Sequence, residues 1–214
     1  MDKRFKKFGG EQVPNLAEYL RLYLKDNIRN GYPINVYIGC DSETFRRQVQ
    51  YATVAAVYDT FRKDGVHYVF AKERTEKAYT KIQSTGNKEA DKEQLKSLRR
   101  DVIYKRIWGE VERVLEVAEY LEAELGGYLK RYTAEELVKM PRYDGKPGNL
   151  GAHQNKLVDV DIDVNPIAGD EGQNKSNMVY ESAVGLLTGM GYRVRCKPYA
   201  WAASCSADLN CKRT

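Results

Sequence analysis

The sequence has few of the residues that mark secreted, membrane or zinc-binding proteins. Its 214 residues include four cysteines and two histidines, and no two cysteines form a Cys-x-x-Cys pair, which argues against a zinc site. No apolar run is long enough to cross a membrane, and the first residues lack the apolar core of a secretory signal. We therefore expect a cytoplasmic or intracellular protein with reduced thiols and no membrane partner.

The charge balance and the length set further limits. The chain has 35 basic and 30 acidic residues, a net charge of +5, which permits nucleic-acid binding without requiring it. The length suits one well-filled domain. We expect residues 1–214 to form a single domain, with a flexible basic arm and a helix over 1–30. An inserted segment over 128–155 is rich in Pro, Gly and Asn towards its end, as functional or disordered loops often are.

The most informative feature is a row of alternating carboxylates at 157–164, with the sequence LVDVDIDV. Because a strand points successive side chains to opposite faces, Asp159, Asp161 and Asp163 would share one face. Three like charges on one face repel each other, and a divalent cation with oxygen ligands is the usual remedy. Two further acids, Asp41 and Asp208, lie in other segments. The pattern predicts a metal-dependent site.

The spacing of apolar residues predicts an α/β fold. The predicted helices cover 15–30, 88–125 and 176–190, and the predicted strands cover 34–40, 49–58, 66–72, 157–164 and 192–197. Short connections indicate that the first three strands form an antiparallel meander. The later strands follow helices, and such crossovers give parallel strands. The expected result is a five-stranded mixed sheet with helices on both faces and a last helix or turn over 199–212.

Several segments resemble the YkuK family of ribonuclease H-like proteins. The likeness is carried by YIGCDS at 37–42, RIWGEVERVLEVA at 106–118, VDI at 160–162, and a C-terminal block that includes AVGLLTGMGY at 183–192 and KPYAWAAS at 197–204. The predicted element order is also that of the ribonuclease H fold. The resemblance implies this fold, with a three-strand antiparallel meander, two parallel strands and an acidic metal-binding cluster.

Carried over by position, the resemblance implies that Asp41, Glu112, Asp161 and Asp208 are the catalytic and metal-binding residues. Glu110 is the alternative to Glu112, because both flank the apolar stripe of their helix. A cluster of this kind binds two Mg²⁺ ions, or Mn²⁺, and hydrolyses phosphodiester bonds.

Three residues are candidates for holding substrate phosphates: Lys175, Ser176 and Lys212. Ser176 begins a predicted helix, and the amides at a helix start attract anions. We expect Asp163 to cap the turn at Asn165 and Pro166 rather than to bind metal.

The leading functional prediction is a metal-dependent nuclease acting on RNA, DNA or a hybrid. One alternative is a non-catalytic ribonuclease H-like module that binds nucleic acid or assembles with protein partners through 128–155 or the N-terminal arm. A second alternative is a phosphatase-like enzyme acting on a small substrate. The complete acidic set favours the nuclease.

Overall fold

The computed structural model describes residues 1, 3–30, 36–58, 66–77, 84–129, 156–166 and 176–212. The predicted inserted segment lies outside the described residues except for the end of one helix, and Lys175 also lies outside them. The helices are α1 (Leu16–Asn30), α2 (Lys88–Leu129), α3 (Asn177–Gly189), the π-helix Ala202–Ala207 and α4 (Asp208–Lys212). The strands are β1 (Phe5–Lys7), β2 (Gln12–Val13), β3 (Val36–Phe45), β4 (Gln48–Tyr58), β5 (Val66–Glu76), β6 (Val158–Ile162) and β7 (Arg193–Arg195).

The strands form one mixed sheet in the order β2-β1-β5-β4-β3-β6-β7. Strands β3, β4 and β5 are the predicted antiparallel meander. Strand β6 is parallel to β3, and β7 is parallel to β6. In the described ranges the sheet therefore has seven strands rather than the predicted five, and the two additional strands come from the predicted flexible arm.

The N-terminal strands are held by burial of two apolar residues. Phe5 and Val13 lie opposite each other in the β1–β2 pair, and both are buried in the main core. Lys6 and Lys7 pair with Phe70 and Val69 on the edge of β5. Strands of three and two residues are too short to show periodicity in the sequence, which is why this hairpin was missed.

The sheet has a large apolar core on one face and a smaller one on the other. The larger core includes Ile38, Val160 and Leu121 under the helices α1, α2 and α3. The smaller core includes Tyr37 and Ala202, which lie between the sheet and the π-helix. Helices therefore cover both faces, as predicted for this class of fold.

Two helix boundaries illustrate the local rules. The side chain of Asn15 accepts a hydrogen bond from the Glu18 amide at 3.0 Å, so Asn15 is the N-cap of α1. Helix α2 is predicted to end at Leu125, before two glycines, but it continues to Leu129. Burial of Leu121 and Leu125 outweighs the cost of about 1 kcal/mol for a glycine in a helix.

None of the helices in the described ranges combines the length and apolar character needed to span a membrane.

Strand β3 and the π-helix are in direct backbone contact at Gly39. A Cβ atom added to Gly39 would lie 2.5 Å from the Ala203 nitrogen and 2.6 Å from the Ala202 carbonyl carbon. These are backbone atoms and cannot rotate away. We expect Gly39→Ala to lower the free energy of unfolding by about 1–3 kcal/mol or more, measured by urea denaturation.

A matched control for this substitution is available in α3. A Cβ atom added to Gly185 meets nothing within 4 Å, so Gly185→Ala should be neutral or stabilising in the middle of a helix. Equal effects of the two substitutions would contradict the close contact at Gly39.

Candidate functional site

The first two carboxylates of β6 face a matching row of arginines on β7. In the parallel register Asp159 lies opposite Arg193, and Asp161 lies opposite Arg195. Each arginine donates from Nε and Nη2 to the two oxygens of its carboxylate, at 2.6–2.7 Å. The repulsion that predicted a metal ion is therefore balanced at these two positions by side chains of the neighbouring strand.

Asp161 is fully buried by its protein partners. Besides Arg195, the Ala202 amide donates to Oδ2 at 2.8 Å, and the Arg195 guanidinium lies 3.9 Å from the centre of the Tyr37 ring. Burial raises the pKa of Asp161, while Arg195 and the Ala202 amide stabilise the ionised carboxylate. The structure thus places this predicted metal ligand in a buried ion pair with Arg195.

Asp163 lies beyond the end of β6, on the same face of the chain. Its carboxylate accepts a hydrogen bond from Ser204 Oγ at 2.6 Å and pairs with Lys197 Nζ at 2.9 Å. The expected turn cap is provided by another residue, because the Asn165 amide donates to Ser176 Oγ at 3.1 Å. Asp163 is therefore paired with Ser204 and Lys197, and the Ser176 hydroxyl already accepts a hydrogen bond from the turn.

Asp41 is coupled electrostatically to acids from two other parts of the chain. It is a residue of β3 and only partly exposed. Burial and, to a smaller extent, the charges of Asp163 and Asp208 raise its pKa to about 7, against the opposing effects of the Ser42 backbone and Arg106. These couplings place carboxylates from β3, from the end of β6 and from α4 in one electrostatic neighbourhood.

Helix α2 brings Glu110, and not Glu112, to this neighbourhood. Glu110 is buried and accepts a hydrogen bond from Ser42 Oγ. Burial and the charge of Asp41 raise the pKa of Glu110 to about 8. Residues two positions apart on a helix point roughly 200° away from each other. Glu112 therefore faces away from Glu110 and is exposed to solvent. It lines a different surface pocket, together with Lys3, Glu73, Arg113 and Glu116.

Arg106 is a site residue that the sequence interpretation missed. Its Nη1 donates to the Ser42 carbonyl oxygen at 2.6 Å and to Ser42 Oγ at 3.1 Å. It lies one helical turn before Glu110, and this i, i+4 spacing was the available signal. Arg106 and Glu110 thus fix Ser42 from the same face of α2.

Asp208 is the first residue of α4. Its carboxylate pairs with Lys212 Nζ at 2.7 Å. The side chain of Lys212 is 61% exposed, so the predicted phosphate ligand lies at the rim of the acidic group, within reach of solvent.

Asp41 is therefore coupled electrostatically to Asp163 and Asp208, and Glu110 is coupled to Asp41 and Asp163. Across the described part of the chain, no group of three or more His, Cys, Asp or Glu side chains is arranged to hold a metal ion. The donors still suit a hard divalent cation, because they are oxygens. Burial and mutual repulsion disfavour the charged forms of Asp41 and Glu110, and a cation would favour them.

Comparison with known proteins bears on the same region. A family model described as ribonuclease H-like matches residues 90–212, which is more than half of the chain. The matched range includes Glu110, Asp163 and Asp208, as well as strands β6 and β7. Neither the search of curated proteins nor that of solved structures found a significant match. The narrower likeness to the YkuK family stays a prediction.

Proposed function

Because the chain belongs to the ribonuclease H-like family, we propose that it is a metal-dependent nuclease acting on RNA, DNA or a hybrid. The observation that carries the proposal is the electrostatic coupling of Glu110, Asp163 and Asp208 to the carboxylate of Asp41. The proposed site differs from the one expected from the sequence, since Glu110 takes the place of Glu112 and Asp163 takes the place of Asp161.

In this proposal Asp41, Asp163 and Asp208 would hold Mg²⁺ or Mn²⁺ together with Glu110. The ions would supply activation of the attacking water and stabilisation of the leaving oxygen. The protein's own contribution is positioning, because Ser42 fixes the Glu110 carboxylate and Arg106 fixes Ser42.

Two lysines give the rim of the site positive charge. Lys197 and Lys212 pair with Asp163 and Asp208, and both side chains are at least one-third exposed. A lysine that leaves its carboxylate when a cation binds is positioned to contact a substrate phosphate. We propose this role for both residues.

The same ion pairs favour a second candidate. Lys197 and Lys212 balance the charge of two of the four acids without any metal. A ribonuclease H-like module that binds nucleic acid without cleaving it is compatible with this arrangement. Metal dependence separates the two candidates.

The test is thermal unfolding in EDTA and in Mn²⁺, combined with cleavage assays on labelled RNA, DNA and hybrid strands. At a Mn²⁺ concentration 100 times Kd, stabilisation should reach about 2.7 kcal/mol, which raises Tm by roughly 5–10 °C for a chain of this size. Cleavage should require the metal.

Other outcomes assign the alternatives. No shift in Tm and no cleavage would favour the non-catalytic module. Hydrolysis of p-nitrophenyl phosphate without cleavage of any strand would favour an enzyme acting on small substrates.

A further inference from the structure

We propose that the outer strands of the sheet carry a surface that binds single-stranded nucleic acid beside the acidic site. This surface, the aromatic–basic face, consists of Lys6, Phe8, Tyr68, Phe70 and Lys72. The inference rests on the proposed function in one respect, which is that the bound strand is the substrate of the acidic site.

Two lysines lie against one aromatic ring in this face. Lys6 is directly opposite Phe70 in the β1–β5 pair, and its Nζ is 5.2 Å from the centre of the Phe70 ring. Lys72 Nζ lies 5.9 Å from the same ring. The additional strand β1 therefore completes a cluster in which positive charges are held next to an aromatic surface.

Phe8 presents an aromatic side chain to solvent at the edge of this cluster. It is 54% exposed, and its ring meets the edge of Tyr68 with the centroids 6.4 Å apart. Proteins that hold single strands combine cations for the phosphates with aromatic rings on which bases stack. A duplex keeps its bases stacked inside, so an exposed ring of this kind favours single strands.

The charge of this face suits a polyanion. Because alternate residues share a face, the described part of β1 and β5 presents Lys6, Lys72 and Arg74 on this side, and one carboxylate, Glu76, at its end. On the opposite side of β5, Glu73 is already paired with Lys3 and Arg113. Among the described residues of β5, the charged side chains on the aromatic side are thus mainly basic.

The register places this face next to the acidic site. Asp41 is opposite Ala52 on β4, and Ala52 is opposite Lys72 on β5. The backbones of Asp41 and Lys72 are therefore two interstrand spacings apart, about 10 Å, and their side chains share one face of the sheet.

Side-chain hydrogen bonds join the face to the site. Arg74 Nε donates to Gln50 Oε1 at 2.9 Å, and Gln50 Nε2 donates to the Cys211 carbonyl oxygen in α4 at 2.7 Å. A single-stranded nucleic acid bound on this face would therefore run towards Asp41 and Asp208.

The experiment measures binding of fluorescein-labelled oligouridylate and oligothymidylate to the full chain by anisotropy in EDTA. The double variant Lys6→Gln/Lys72→Gln should bind about tenfold or more weakly. The slope of the logarithm of its binding constant against the logarithm of the salt concentration should become shallower by about 1.4, or about 0.7 for each lost phosphate contact. The control Lys92→Gln/Lys96→Gln makes the same charge change on exposed positions of α2 and should bind like the original protein.

A second variant tests stacking. Phe8→Ala should weaken binding about tenfold while leaving the salt dependence unchanged, because it removes a stacking ring and no charge. Phe8→Tyr should restore binding.

Two results would overturn the inference. One is unchanged single-strand binding by both Lys6→Gln/Lys72→Gln and Phe8→Ala, each shown to be folded by circular dichroism. The other is displacement of the labelled strand by duplex or by polyglutamate as readily as by unlabelled single strand, which would indicate a general polyanion or an acidic protein partner. Because EDTA prevents metal-dependent cleavage, this assay can fail while cleavage in Mn²⁺ remains, and the reverse.

Discussion

Replacing Asp161 with alanine is expected to lower the free energy of unfolding by about 3–5 kcal/mol, because it leaves the Arg195 charge without its partner in the interior. The carboxylate is fully buried and accepts hydrogen bonds from Arg195 and from the Ala202 amide. Urea denaturation in EDTA, followed by circular dichroism, measures the loss directly.

A double-mutant cycle shows whether the loss belongs to the ion pair. Asp161→Leu combined with Arg195→Met should recover a large part of the stability, because replacing both members of a buried pair with apolar residues is often neutral. Asp163→Ala is the comparison just beyond the end of the same strand, and it should cost much less because Asp163 is partly exposed. A mild effect of Asp161→Ala, together with loss of the Mn²⁺ response, would instead restore Asp161 as a metal ligand.

Replacing Asp41 with asparagine is expected to reduce cleavage by at least about 10³-fold. Metal-assisted stabilisation of the transition state is worth several kcal/mol, and each 1.4 kcal/mol corresponds to a factor of ten. The same substitution removes one of several buried like charges, so it should raise Tm in EDTA. Loss of activity together with increased stability distinguishes a site residue from a residue needed for folding.

The helix acid provides a matched pair for this prediction. Glu110→Gln should lose cleavage as Asp41→Asn does, because Glu110 is buried beside Ser42 and Asp41. Glu112→Gln makes the same chemical change on an exposed position of the same helix and should stay within about twofold of the original activity. An inactive Glu112→Gln protein with an active Glu110→Gln protein would contradict the proposed site.

The alternation of side chains along β6 was predictable from the sequence, but the arginines that pair with its carboxylates were not predicted. Alternation placed Asp159 and Asp161 on one face of the sheet. The side chains that pair with them come from β7, which is distant in the sequence. The residues of 193–197, Arg-Val-Arg-Cys-Lys, alternate with the same period, and this was the missed signal. Two alternating rows of opposite charge indicate neighbouring strands as readily as they indicate a metal site.

The choice of helix acid depended on packing that spacing alone does not determine. Glu110 and Glu112 both flank the apolar stripe, and the rotation of α2 about its axis decides which one reaches β3. A Cβ atom on Gly109 would lie 2.7 Å from the Tyr51 hydroxyl, so α2 lies against the sheet at that point. This close approach turns Glu110 towards Ser42 and Glu112 away from it.

The most direct test of the account is the position of Mn²⁺ in a crystal of the protein, located by anomalous diffraction. We expect Mn²⁺ bound between the carboxylates of Asp41 and Asp163, with Asp161 still paired to Arg195. Mn²⁺ coordinated by Asp161 or Glu112, or a crystal soaked in Mn²⁺ with no ion near Asp41, would contradict it.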